Sequence, residues 1–230
     1  MELFKESDKS YCDSIQKTEY TQKIDMTENL QMTEYPSLIN IFLTKFDPHL
    51  SLIDDKELYI KQRILEIASD IDENKELFDS MNYNRIKPSL IQYGLQMNNH
   101  VSSLLYLSDL YQVSTIVYIE SKQIKILTSP KKRTLFHIIY TTNGKWLYVD
   151  MITEKYNNYK LSEFSELAIC LTLDIKTYDI YKKFLQPIGK YKMNELVSLA
   201  NERNINLMNG TKKKVKKELY DEINIYELNK

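Results

Sequence analysis

At 230 residues and 43% hydrophobic, the chain is long and apolar enough for one medium domain with its own core plus a small appendage. It has no apolar run of bilayer length, no charged-then-apolar leader and only two cysteines, Cys12 and Cys170, so no membrane span, secretory signal, disulfide framework or zinc site is expected. The net charge of -1 hides an asymmetry: from Lys190 onward nine Lys and Arg face six Asp and Glu, a net of +3, which leaves -4 for the rest. The expectation is an intracellular protein of a reducing compartment, without a membrane partner, metal or cofactor.

In chain order, residues 1–36 are polar and acidic and read as a mobile tail or a partner-binding arm. Pro36 opens a first helix through Leu38, Ile39, Ile41, Phe42 and Leu43, and Asp47-Pro48 ends it. A longer helix follows from about Asp54, with a buried stripe expected at Leu58, Ile60, Ile64, Leu65, Ile67 and Ala68. Pro88 starts another helix, and His100 to Tyr111 reads as a buried one through Leu104, Leu105, Leu107 and Leu110.

At Val113 the period changes. Strands are expected at 113–119, 123–127, 134–140 and 145–151, from their β-branched content and alternation. Asn143-Gly144 between the last two predicts a tight type I′ hairpin, because both residues tolerate positive φ. Leu161 to Thr172 reads as a helix through Phe164, Leu167, Ala168 and Leu171, and Tyr178 to Leu185 as another. Pro187-Ile188-Gly189 reads as a linker. The fold class is therefore α+β: a helical N-terminal half, a small, mostly antiparallel sheet near 113–151, further helices and a C-terminal helix pair. The expected divisions are a tail at 1–36, a body at 37–186 and a module at 190–230.

In that module Met193, Leu196, Val197, Leu199 and Ala200 give a first apolar helix, and Asn204-Ile205 a helix-ending turn. Gly210 and Lys212 follow, and Val215, Leu219 and Ile223 recur four apart as one face of a second helix. The segment from Tyr191 to Ile223 resembles a SAP motif, the helix–extended loop–helix module of many chromatin and DNA-repair proteins. Asn204 departs from the usual glycine there, though Asn also adopts the left-handed conformation at helix ends. Thr211 is the candidate N-cap of the second helix. The lysine-rich second helix ending in Glu-Leu-Tyr resembles C-terminal segments of proteins from large nucleocytoplasmic DNA viruses, and such usage of Ile, Asn, Lys and Tyr resembles that of AT-rich genomes.

The resemblance implies DNA contact without base reading, at Lys192, Gly210, Thr211, Lys212, Lys213, Lys214, Lys216 and Lys217. Lys131, Lys132 and Arg133 form a candidate second basic contact. Solvated lysines at a helix end are the plainer alternative, but cations crowded at a helix N-terminus oppose the helix dipole and point to an anionic partner. The body would engage a protein partner. The expected function is a DNA-binding accessory protein in viral genome replication, transcription or packaging. The alternative is a structural or virion interaction protein whose helix pair docks onto protein.

Enzyme chemistry finds little support. Cys170 sits in an apolar run, with His100 and His137 the only imagined partners for a thiol hydrolase. Glu120-Ser121-Lys122 superficially fits a metal-dependent nuclease, the third reading, but Asp109 and Asp150 are poorly ordered for the second carboxylate. Four glycines provide no phosphate-cradling loop. Phe136, Tyr140, Trp146 and Tyr148 fall in even-spaced pairs on two strands and suit either a stacking platform or, more ordinarily, core.

Overall fold

The computed structural model describes residues 33–84, 86–97, 101–162 and 180–230. Among these the chain divides into two compact units. The larger, the body, holds the described residues up to Ser129 and from Arg133 to Tyr181; the smaller holds Pro130–Lys132 and Lys182–Lys230. No described helix is long and apolar enough to cross a membrane.

The body is helical first and a sheet second, as α+β requires. Helix α1 (Leu38–Phe46) starts where the Ser37 hydroxyl caps Asn40 N–H, and buries Leu38, Ile39, Ile41, Phe42 and Leu43. Asp47 then caps a 3-10 turn that begins at Pro48. In α2 (Lys56–Glu73) the buried positions are Ile67 and Ile71, whereas Leu58 and Leu65 are 52% and 65% exposed. The expected stripe is thus corrected: this helix carries two apolar faces, and the one that turns inward has Ile67 and Ile71 buried with Ile60 and Ile64 half-buried beside them. Helices α3 (Lys75–Ser80), α4 (Pro88–Gln96) and α5 (Val101–Leu110) complete the layer.

The sheet has six strands: β1 (Glu34–Tyr35), β2 (Val113–Ile119), β3 (Ile124–Leu127), β4 (Thr134–Tyr140), β5 (Trp146–Tyr148) and β6 (Lys160–Leu161), in the order β1-β5-β4-β2-β3-β6. It is mixed. Strand β2 pairs antiparallel with β3 but parallel with β4 along its whole length, from Val113↔Thr134 to Ile119↔Tyr140. The sheet is mostly antiparallel as expected, but the strands of 113–151 are not all successive hairpins: β2 and β4 are parallel, and β3 pairs parallel with β6 as well. A buried central strand explains why all seven residues of β2 are inaccessible. The last pair, β4 with β5, is antiparallel as expected.

The turn between β4 and β5 differs from a type I′ hairpin. Gly144 N–H bonds Thr141 O at 3.1 Å, and Thr141 N–H bonds Lys145 O at 2.9 Å. Gly144 alone takes positive φ, at 73°. This is a three-residue loop, a type I turn followed by a glycine bulge. Elsewhere the left-handed corners fall on Asn82, Gln112, Gln123 and Asn204.

The four strand aromatics share one face and pack inward. Phe136 meets Phe42 and Phe46 of α1 at ring separations of 5.0 Å, and Trp146 is fully buried against Tyr140. Phe136 and Trp146 are core, and Tyr140 and Tyr148 lie half-buried against them, so among the described residues these rings are spent on each other. The opposite sheet face gathers Ile116, Tyr118, Ile139 and Leu147 beneath Tyr156 of the short helix α6 (Glu154–Asn157) and Tyr159. Of the expected tail, Glu34 and Tyr35 are sheet residues paired with β5, and 1–32 lies outside the described residues. So does nearly all of the helix expected at 161–172, where Lys160–Leu161 is strand. The described part of 178–185 is not helical; Tyr181 makes a bridge to Tyr83.

Candidate nucleic-acid interface

The C-terminal unit builds its own core. Helix α7 (Met193–Glu202) and helix α8 (Lys216–Leu228) bring together Leu196, Ala200, Leu219, Tyr220 and Ile223. The segment read as a linker is part of this core: Ile188 and Leu185 pack on it. The Oδ1 of buried Asn224 accepts Phe184 N–H at 2.8 Å and Leu185 N–H at 3.0 Å, and the Tyr220 hydroxyl donates to Gln186 O at 2.9 Å. A polar anchor of this kind fixes a strand of backbone that would otherwise lack partners.

Helix α7 begins with Glu195 accepting the Lys192 N–H at 2.6 Å, which satisfies one orphan donor. It ends in a Schellman motif. Ile205 N–H reaches Ala200 O at 2.8 Å and Asn204 N–H reaches Asn201 O at 3.0 Å, with Asn204 left-handed at φ 55°. The asparagine therefore does the conformational work expected of it.

The stretch after it differs from the expected helix start. Met208–Asn209 (β7) and Lys212–Lys213 (β8) form a small antiparallel hairpin, with Met208↔Lys213 and Asn209↔Lys212 in register. Gly210 takes φ 58° at the first turn position, which suits a glycine-first type II′ turn. Thr211 is thus a turn residue and not an N-cap. Helix α8 starts after Val215, whose N–H is accepted by Glu218 at 2.5 Å. Val215 precedes the helix and is exposed; Leu219 and Ile223 alone of the expected triplet are buried.

This arrangement sorts the cations. Arg203 Nε bonds Glu227 Oε1 at 2.6 Å, and Lys214 Nζ bonds Glu222 Oε2 at 2.6 Å, so both are committed inside the unit. The side chains of Lys212, Lys213, Lys216 and Lys217 make no ion pair or hydrogen bond with any described residue. Lys192, Gly210 and Thr211 are exposed. From Lys182 to Lys230 eleven Lys and Arg stand against six Asp and Glu, a net of +5. Sequence reasoning missed the Lys214–Glu222 pair because it placed Lys214 inside a helix.

The second basic cluster is dispersed. Lys131 is buried and Lys132 exposed, while Arg133 Nη1 bonds Asp109 Oδ1 at 2.5 Å. Asp109 is 1% exposed and its other oxygen also accepts the hydroxyls of Tyr83 at 2.7 Å and Tyr181 at 3.1 Å. Burial, and next the Asp109 charge, push both phenols well above their ordinary range. The Arg133 charge belongs to this buried cluster.

The enzyme candidates fare as follows. Glu120 Oε1 accepts from Lys155 Nζ and from the Tyr156 hydroxyl, each at 2.9 Å. Burial pushes its carboxyl up, but those two bonds outweigh it and hold the group below the usual range. Asp150 is bonded by Lys45 at 3.1 Å and by Tyr148. Among the described residues no three of His, Cys, Asp and Glu are placed to hold a metal ion. His137 takes a 3.1 Å bond with the Tyr118 hydroxyl, and burial, then Lys125, pushes it down to about 4. His100 and Cys170 lie outside the described residues. No family model, no curated protein and no solved structure matches this chain.

Proposed function

We propose that this chain is a non-enzymatic DNA-binding accessory protein that holds the phosphate backbone through its C-terminal unit. One observation carries the reading: Lys212, Lys213, Lys216 and Lys217 have no side-chain partner among the described residues, in the same fifteen-residue stretch as the paired Arg203 and Lys214. Mobile ammonium groups suit phosphates as point charges and read no bases. Four such contacts give weak binding, micromolar or weaker, with a slope of about -3 to -4 in log affinity against log salt. The order of helix, extended stretch and helix, with a left-handed Asn204, supports the SAP-like reading; the hairpin is an addition to it. In a large DNA virus such a unit would serve genome replication, transcription or packaging.

The test is anisotropy titration of the full chain on several unrelated duplexes at low salt. Affinities alike across sequences support the reading. A preference for one sequence, or no retention of any duplex, overturns it. Changing Lys131, Lys132 and Arg133 together is the control; if that change alone abolishes binding, the site lies outside the C-terminal unit.

A second reading, a structural or virion interaction protein, is favoured by the exposure of Leu58 and Leu65 on one side of α2. Two leucines seven residues apart lie on one helical face and suit a protein partner for the body. Partner capture that persists at high salt supports it.

A further inference from the structure

We propose that Met208 and Val215 are the groove-contacting part of this interface, seating apolar side chains against sugar and base edges of a duplex between phosphate-bound lysines. The inference rests on the DNA reading above. It follows from the two faces of the hairpin.

Directly paired residues in a ladder project to the same side. Met208↔Lys213 therefore share one face, and Asn209↔Lys212 the other. The ladder runs one step further, because Lys214 N–H bonds Leu207 O at 2.9 Å. That step shows which face is inner. Leu207 packs on the core of the unit, and Lys214 reaches Glu222. By alternation Val215 rejoins the side of Met208 and Lys213. The outer face is thus Met208, Lys213 and Val215, with Lys216 and Lys217 next in the chain.

Met208 is 36% exposed and Val215 52%. A surface meant only for phosphates needs no apolar groups among its lysines. A duplex groove supplies what this face lacks: anionic edges flanking walls of sugar C–H and base edge. Minor-groove proteins use Met and other apolar wedges in this setting. Stacking on single strands is disfavoured, because the hairpin residues on this face, Met208, Lys213 and Val215, include no aromatic. Tyr220 is buried and Tyr191 is turned to Gln186 N–H. Tyr226 is ten residues further along α8, about 15 Å away by helix rise.

The experiment pairs two sets of variants in the full chain. Met208→Gln with Val215→Thr is expected to weaken duplex binding about tenfold at fixed salt, as two apolar side chains lose their burial on binding. The salt slope should stay as in the parent. Met208→Leu with Val215→Ile should restore affinity, and thermal melting should not move, since both positions are exposed. If the polar pair binds as tightly as the parent while lysine-to-glutamine changes flatten the slope, this inference falls and the phosphate reading stands. If the parent retains no duplex at low salt, both fall. Binding of the parent to phosphatidylserine vesicles but not to duplex, lost in the polar pair, overturns both in favour of a membrane contact.

Discussion

In the body, acidic groups at the ends of elements are matched: Asp109 with Arg133, Glu120 with Lys155, Asp47 with Arg63 and Asp150 with Lys45. In the C-terminal unit Arg203 and Lys214 are matched, and Lys212, Lys213, Lys216 and Lys217 are left without a carboxylate among the described residues. The contrast separates charge used to fix structure from exposed charge, which is what the proposed DNA contact would use. The sequence shows both as equal runs of basic residues: Lys131-Lys132-Arg133 and Lys212-Lys213-Lys214 look alike until their partners are known. Breaking a pair in the body should cost stability and leave nucleic-acid binding alone. Removing the unpaired lysines should do the reverse.

The largest effect is expected at Asp109. Asp109→Ala strands Arg133 and two buried phenols, and should destabilise the body by about 3–5 kcal/mol, read by urea unfolding. A loss below about 1 kcal/mol would show that the cluster is not the structural pair described. Next comes pH. The folded pKa of His137 lies at about 4, below its unfolded value of 6.5. Its contribution is therefore fully present above pH 6.5 and is lost as pH falls toward 4, about 3 kcal/mol in all. His137→Gln should remove that part of the acid sensitivity; an unchanged pH profile would contradict it. The smallest is Gly144→Val. The added Cβ would meet only the Tyr140 hydroxyl, at 3.6 Å, so the cost is the positive φ of 73°. It should be about 1–2 kcal/mol, measured by thermal melting.

The same contrast explains what could be read in advance. Helix α1 and strands β2 to β5 were legible because caps, prolines and β-branched runs act locally. The parallel pairing of β2 with β4 was not. Residues 128–133 carry the chain from β3 across β2, two strand spacings of about 4.8 Å each, and nothing in their composition records the direction. In α2 periodicity allowed two apolar faces and could not choose between them. Around Gly210-Thr211 the flanking strands of two residues each give no alternation to find, so the sequence reading assigns the lysines to the helix. Asn204 was read correctly, because a left-handed helix end depends on one residue. The pairing of Lys214 with Glu222 depended on that missed hairpin.

Salt dependence of duplex binding tests the central claim most directly. The parent chain and a variant with Lys212, Lys213, Lys216 and Lys217 changed to Gln are titrated from low to moderate salt. The account predicts a parent slope of about -3 to -4, flattened nearly to zero in the variant, with an unchanged melting curve. Lys214→Gln, alone, should instead lower the melting point and leave the slope close to that of the parent. A variant that keeps the parent slope, or a parent chain that shows none, would contradict the account.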